Sequence, residues 1–175
     1  MGFGSIIGTA IAIVVLMAAG YLLIGGVTLS ADVTGASLKA AADLENQKLK
    51  TELVIDNVGS NASDNWFAFH LNNNGSTKIE NITKMDVIVL TTGINSSAYY
   101  VPYRFPGEDR ALYWTNESIT ANVAGIGDAM NPGMLDPGEY VNIIIHNDDG
   151  FPSNTAWVQV TTPNGVSAAT NVVIT

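Results

Sequence analysis

Cysteine is absent from this 175-residue chain, which excludes a disulfide scaffold and every zinc or iron–sulfur site that depends on thiolates. Basic residues are few: seven Lys and Arg stand against sixteen Asp and Glu, so the net charge is −9. Because nucleic-acid binding needs clustered Lys and Arg, nucleic acid is excluded as a partner. A hydrolase needs a nucleophile paired with a general base. The chain has only two histidines and no Gly-x-Ser-x-Gly motif, so the sequence offers no such pair. We expect no enzyme activity, no catalytic residues and no cofactor.

Charged side chains are also missing from the segment Ile6–Leu29. As a helix these 24 residues extend ~36 Å, more than the ~30 Å hydrocarbon core of a bilayer. No Lys or Arg precedes Ile6, so the positive region of a cleaved signal peptide is missing. Ile6 also stands where an N-myristoylation motif needs Ser or Thr. We expect residues 1–31 to form one retained transmembrane helix.

Small residues recur along this helix at Gly4, Gly8 and Ala12. Such a stripe lets two helices approach closely in lipid, although small residues are common in spanning helices. Ser30–Asp32 then offers helix-capping residues, and residues 32–50 are weakly amphipathic. We predict a second, helical stalk over residues 32–50; a helix that packs into a partner's groove is the alternative.

From Glu52 onward, short runs rich in β-branched and aromatic residues alternate with Gly, Pro, Asn and Asp turns. This pattern predicts an all-β domain over residues 51–175, an immunoglobulin-like β-sandwich, with a small barrel as the alternative. We assign tryptophans 66, 114 and 157 to its core, and a weak strand inside a long loop to residues 115–139. The predicted strands cover residues 53–55, 66–71, 85–90, 98–103, 111–114, 140–146, 156–160 and 170–174.

Tyrosine and arginine are enriched at protein interfaces, and both types cluster between residues 99 and 110. The candidate contact surface therefore consists of Tyr99, Tyr100, Tyr103, Arg104 and Arg110. An aromatic platform for a sugar is the alternative function for such residues. Exposed sheet edges would in addition allow strand pairing between copies.

Polar residues offer two weaker candidates for a site. Asp148 and Asp149 lie in a turn sequence and carry oxygens suited to calcium, although the EF-hand spacing is missing. We interpret them as a hairpin turn and leave a metal as the alternative. His70 and His146 fall within strand patterns, so we interpret both as surface or edge histidines.

Asn-x-Ser/Thr sequons mark surface loops of exported chains. Beside a membrane anchor they indicate glycosylation of an exported domain, and they provide the orientation argument because no positive charge precedes the span. The five candidate asparagines are Asn61, Asn74, Asn81, Asn95 and Asn116.

The opening Met-Gly-Phe-Gly-Ser, the uncharged helix to Leu29, the stalk to about Lys50 and the β-rich end Val172–Thr175 resemble the F-type accessory stator proteins of the archaellum, the archaeal motility filament. The resemblance implies a single-pass membrane protein whose immunoglobulin-like sandwich lies in the pseudo-periplasm and links the motor to the S-layer. It also implies a homodimer or a hetero-oligomer with the G-type protein, among the motor and accessory subunits.

Two other classes share these features. The sister G-type accessory filament proteins are one, although the Met-Gly-Phe start favours the F-type. The other is a membrane-anchored, pilin-like adhesin or carbohydrate-binding module. A processed filament subunit is disfavoured, because no Lys or Arg precedes the apolar helix as its cleavage requires.

Overall fold

One continuous helix, α1 (Phe3–Leu49), opens the chain. The computed structural model describes residues 2–61, 63–91, 97–121, 128, 130–151 and 155–174. By length and composition α1 can cross a membrane. The expected helix start at Ser30–Asp32 was wrong, since α1 runs straight through it. Gly25 and Gly26 each cost only about 1 kcal/mol of helix propensity and no proline interrupts the run.

The chain divides into two compact units, Met1–Glu45 and Asn46–Thr175, and the second contains all of the described strands. All eight predicted runs form strands, although their ends differ by several residues. The strands are β1 (Leu53–Asn61), β2 (Trp66–Asn73), β3 (Asp86–Thr91), β4 (Ser97–Val101), β5 (Leu112–Ala121), β6 (Glu139–Asn147), β7 (Thr155–Thr161) and β8 (Ser167–Val173).

The eight strands form two antiparallel sheets of four strands each. The first sheet has the order β1-β2-β6-β5, and the second has the order β4-β3-β7-β8. A short 3₁₀ turn, Ile82–Lys84, lies in the connection that leads from β2 in one sheet to β3 in the other. This two-sheet arrangement confirms the coarse expectation of an apolar helix followed by an all-β unit.

The core lies between the sheets and follows the two-residue alternation of strands. In β2, Phe67, Phe69 and Leu71 are fully buried, and Val87 and Val158 face them from the second sheet. The largest buried side chain is Trp114 of β5. The expectation for tryptophan is therefore confirmed at this one position.

Trp66 and Trp157 are only half-buried and lie on the outer sides of their sheets, so assigning them to the core was wrong. Each directly adjoins an inward residue, Phe67 or Val158, and a strand sends neighbouring side chains to opposite faces. The weak strand expected within residues 115–139 is the second half of β5. It continues past an irregularity between Asn116 and Ile119, with Ile119 opposite Val141.

The residues directly after α1 are joined to the connection that follows β2 by main-chain hydrogen bonds. Asn74 N–H donates to the Glu52 carbonyl (2.8 Å) and Ser76 N–H donates to the Lys50 carbonyl (2.7 Å). Gly75 lies between them, where a Cβ would collide with the Lys50 carbonyl oxygen and the Glu52 nitrogen. The Thr51 hydroxyl donates to the Gln47 carbonyl (2.8 Å). We call this set, residues 47–52 with 74–76, the junction.

Gly75→Ala is expected to destabilise the sandwich by about 1–3 kcal/mol, because backbone atoms of the junction must move to admit one methyl group. Gly59→Ala in β1 is the matched control, since its added Cβ meets nothing within 4 Å. Urea unfolding followed by tryptophan fluorescence reports on this unit alone, as all three tryptophans lie in it. Equal midpoints for the two variants would contradict this view of the junction.

Candidate interaction surfaces

The three candidate tyrosines face different directions. Tyr100 lies on the outer side of β4 and is 62% exposed, whereas Tyr99 packs against the core. Tyr103 follows Pro102, at which β4 has ended, and packs edge-on against Trp114 with 4.8 Å between ring centroids. Its hydroxyl donates to Asn116 Oδ1 (3.1 Å). Of the three, Tyr100 alone offers an open aromatic surface.

The two candidate arginines hold the loop between β4 and β5. Arg104 Nε donates to the Glu108 carbonyl (3.0 Å), and its guanidinium lies 4.4 Å from the Tyr113 ring centroid. Arg110 Nε donates to the Glu108 carboxylate (3.0 Å). This bond, with one from the Phe105 N–H, holds the pKa of Glu108 below its ordinary value. Both arginines thus have internal partners.

The outer side of the first sheet carries a group of stacked rings. Tyr113 and His146 are opposite in register and stack at 4.9 Å and 18°. His70 stacks on Tyr140 at 4.2 Å and 20°. Trp66 lies opposite His146 on the neighbouring strand. We call Trp66, His70, Tyr113, Tyr140 and His146 the aromatic face.

Both histidines lie at the surface, as expected, but on the central strands β2 and β6 rather than at an edge. His70 Nε2 lies 3.0 Å from Asn57 Nδ2, and its Nδ1 lies 3.9 Å from Asp56 Oδ1. Burial lowers the pKa of His146 from its ordinary 6.5; Asp148 raises that pKa and Arg104 lowers it. Sequence analysis missed these stacks, because they depend on strand register, for which the pattern gives no signal.

The outer side of the second sheet is almost free of charge. Among the described strand residues that face outward here, Asp86 alone is charged, and the Tyr100 hydroxyl lies 3.5 Å from its Oδ1. In a chain of net charge −9 this is a distinctive surface. We call it the neutral face; its larger side chains are Ile88, Leu90, Tyr100, Trp157 and Val173.

The acidic turns are explained by their own hydrogen bonds. Asp136, which is buried, accepts from the Asn131 N–H (3.0 Å) and its side-chain amide (2.9 Å). In the turn with Asp148 and Asp149, Asn147 Oδ1 accepts from the Asp149 N–H (3.3 Å). No group of three or more His, Asp or Glu side chains suited to a metal occurs in the described part of the chain. These contacts favour the hairpin interpretation.

The remaining candidates lie on α1 and around the sandwich. Gly4, Gly8 and Ala12 are exposed on α1, and nothing lies within 4 Å of a Cβ built at either glycine. Helix association through this stripe remains a prediction. Asn74 and Asn81 are exposed, Asn61 and Asn116 are half-buried, and Asn95 is outside the described residues.

Comparison with known proteins reveals a consistent set of relatives. The archaeal-type flagellin family model matches residues 2–172. A functionally uncharacterised protein of Archaeoglobus fulgidus is 24% identical over 168 residues, 95% of this chain and 92% of its own length.

The similar solved structures also come from the archaellum. The archaellum periplasmic stator protein FlaG from Sulfolobus acidocaldarius is 28% identical with a TM-score of 0.51, covering 69% of this chain and 98% of that one. The archaellum periplasmic stator complex of FlaF and FlaG from the same organism is 27% identical with a TM-score of 0.51. The match covers 69% of this chain and 88% of that one. The archaeal flagellum of Methanospirillum hungatei strain JF1 is 12% identical with a TM-score of 0.52 and shares the fold. The match covers 100% of this chain and 94% of that one.

His146 is expected to titrate below pH 6.5, with a pKa that rises in Arg104→Gln and falls further in Asp148→Asn, because each change removes one neighbouring charge. The unfolded chain then binds more protons than the folded one. Stability contributed by neutral His146 is thus present above about pH 6.5 and lost as the pH falls through the folded-state pKa.

NMR titration of the His146 ring proton measures the pKa in each variant. Denaturation at pH 7.5 and pH 5, compared with His146→Asn, measures the linked loss of stability. Identical titration curves for the three proteins would contradict the assigned causes.

Proposed function

Because this chain belongs to the archaeal-type flagellin family, we propose that it is a structural stator component of the archaellum that links the membrane-embedded motor to the S-layer. The observation that carries the stator role is the 28% identity to the periplasmic stator protein FlaG over 98% of the solved FlaG chain. The proposed link to the S-layer rests on the resemblance of the Met-Gly-Phe-Gly-Ser start to F-type proteins. The family and these matches consist of structural archaellum proteins, and we propose no catalytic role.

In this proposal α1 holds the chain in the cytoplasmic membrane and the sandwich lies outside it, in the pseudo-periplasm. Two observations support the placement: α1 carries an apolar stretch long enough to span a bilayer, and the matched FlaG and FlaF–FlaG structures are of periplasmic stators. The division of α1 into a span over residues 1–31 and a stalk over residues 32–50 belongs to the same proposal. The stalk then spaces the sandwich from the membrane.

We assign the sandwich to the immunoglobulin-like class. With the strands lettered A, B, C, C′, D, E, F and G in chain order, the first sheet has the order A-B-E-D and the second the order C′-C-F-G. Immunoglobulin constant-type domains place A, B, E and D on one sheet and C, F and G on the other, with C′ added in variable-type domains. The strand order therefore supports the assignment.

A mechanical anchor needs separate surfaces for its two attachments. We assign the S-layer to the aromatic face, because aromatic side chains dominate binding energy at interfaces. Stacking already fixes His70 on Tyr140 and His146 on Tyr113, which is itself only 8% exposed, and half-buried Trp66 lies beside them.

Arg104 supports this region, because its guanidinium lies over the Tyr113 ring. Tyr103 and Arg110 hold the same loop, between β4 and β5, through Trp114 and Glu108.

We assign the neutral face to a second stator subunit of the same family, in a homodimer or a hetero-oligomer of the kind seen for FlaF and FlaG. Two acidic copies repel each other wherever their charges meet. The neutral face carries Tyr100, 62% exposed, and Val173, 62% exposed, with Asp86 as its one charge among the described outward residues. Contact there buries apolar area without bringing carboxylates together.

The G-type role is the second candidate function, and the FlaG match favours it. The Met-Gly-Phe-Gly-Ser start favours the F-type role instead. S-layer binding separates the two proposals: an F-type anchor binds the S-layer itself, whereas a G-type filament subunit assembles through subunit contacts alone. An adhesin would bind a defined glycan without the motor proteins.

Co-sedimentation with purified S-layer tests the anchor role. The chain is expected to bind saturably, and Trp66→Ala is expected to weaken binding at least tenfold through loss of an aromatic contact. Trp157→Ala is the matched control, because it is also a half-buried outward tryptophan but lies on the opposite sheet. Saturable binding that both variants leave unchanged would refute the aromatic face, and absence of binding by the folded protein would refute the anchor role.

Ile88→Lys is expected to abolish association with the second subunit, because it places a charge in the neutral face. Val54→Lys is the control, since both side chains are 37% exposed and Val54 lies on the outer side of the first sheet. Sedimentation velocity of the chain alone and mixed with its partner subunit measures the complex. Loss of the complex in both variants, or in neither, would count against this assignment.

A further inference from the structure

In the connection from β2 to β3, Asn81 is exposed between two buried residues. Ile79 and Ile82, on either side, are each 4% exposed and belong to the core. Ile79 exchanges two main-chain hydrogen bonds with Leu135, both 3.0 Å. Asn81 itself is exposed. The two buried isoleucines therefore fix the backbone while the asparagine side chain stands in solvent.

The two side chains that define the Asn81-Ile82-Thr83 sequon lie together. The Thr83 hydroxyl lies 3.4 Å from Asn81 Oδ1, as donor to it. Asn81 precedes the 3₁₀ turn but makes no side-chain capping bond, and its main-chain carbonyl accepts from Lys84 N–H (3.1 Å). Within the described residues its carboxamide nitrogen has no hydrogen-bond partner, so this nitrogen is open to a reagent from solvent.

Two other described sequons are engaged in structure. The Asn61 amide donates to Asp64 (2.7 Å), and its Oδ1 accepts from the Ser63 N–H (3.0 Å). Asn116 lies within β5, opposite Ile143, and its Oδ1 accepts from the Tyr103 hydroxyl (3.1 Å). Modification of either asparagine would disturb these contacts.

The remaining described sequon, at Asn74, is exposed but forms part of the junction. Its own N–H and those of Gly75 and Ser76 all donate to main-chain carbonyls of Lys50 or Glu52. Gly75 leaves no room for movement toward that segment. A glycan attached to Asn74 would lie directly beside the main-chain hydrogen bonds of the junction.

We propose that Asn81 is the preferred acceptor of an N-linked glycan among the four described sequons, an inference that rests on the proposed placement of the sandwich outside the membrane. The donor is a lipid-linked oligosaccharide phosphate. The carboxamide nitrogen forms a bond to the anomeric carbon, the bond from that carbon to the phosphate oxygen breaks, and the amide proton leaves with the released lipid phosphate.

The test expresses the full chain in an archaeal host with an N-glycosylation system, in an Asn95→Gln background, so that the four described sequons compete. Thr83→Ala and Ser118→Ala each remove one sequon and leave its asparagine in place. Intact-mass and glycopeptide mass spectrometry are expected to show loss of one glycan in Thr83→Ala and in Asn81→Gln, with full retention in Ser118→Ala.

A glycan found on Asn61, Asn74 or Asn116 in preference to Asn81 would overturn the inference. Protease added to intact spheroplasts tests the placement separately. An accessible sandwich with Asn81 unmodified overturns the inference and leaves the proposed function standing. A protected sandwich overturns both.

Discussion

The hydrogen-bonded junction that follows α1 is the interaction on which the proposed mechanical link depends. Main-chain groups of Lys50 and Glu52 accept from Asn74, Gly75 and Ser76, and Asn164 Nδ2 donates to the Thr51 hydroxyl (2.8 Å). Next to it, buried Asn73 donates to the carbonyls of Thr77 and Leu135 (2.9 and 3.0 Å). Each such bond contributes about 1 kcal/mol net, and leaving a buried partner unpaired costs more. Residues 50–52 therefore cannot leave the sandwich without breaking several of these bonds at once.

The sandwich itself separates two kinds of surface. Its first sheet presents stacked aromatic and histidine rings, and its second presents a side almost without charge. A strongly acidic chain that must meet other subunits gains from concentrating its uncharged side chains on one face, since long-range repulsion is then confined to the remaining surface. Both faces belong to a rigid two-sheet core, so a load on one face reaches the other through packed side chains.

Much of this fold could be predicted from the sequence. Runs such as residues 66–71 and 140–146 combine β-branched and aromatic residues between Gly, Pro and Asn turns, and each is a strand. Trp66 was assigned to the wrong side, since only strand register decides which of Trp66 and Phe67 points inward. The predicted helix start at Ser30 was wrong, because a capping residue marks a helix start only where its own backbone is not helical, and α1 is continuous there.

The candidate surfaces were less predictable. The pattern selected residues 99–110 by composition, but Tyr99 and Tyr103 pack inward and the two arginines bind Glu108. The stacks of Tyr113 on His146 and of His70 on Tyr140 join residues more than 30 positions apart in the chain. No local signal predicts such pairs, just as none distinguishes an open sequon from one engaged by Tyr103.

Rotation of tethered cells tests the central claim, that the chain acts as a continuous mechanical link. A flexible Gly-Ser linker between Leu49 and Lys50 separates α1 from the sandwich and leaves the bonds of Lys50 and Glu52 to residues 74–76 in place. The same linker in the exposed turn at Gly133 is the control. We expect slow or intermittent rotation for the first protein and normal rotation for the second, at equal protein levels. Normal rotation with the linker after Leu49 would contradict the central claim.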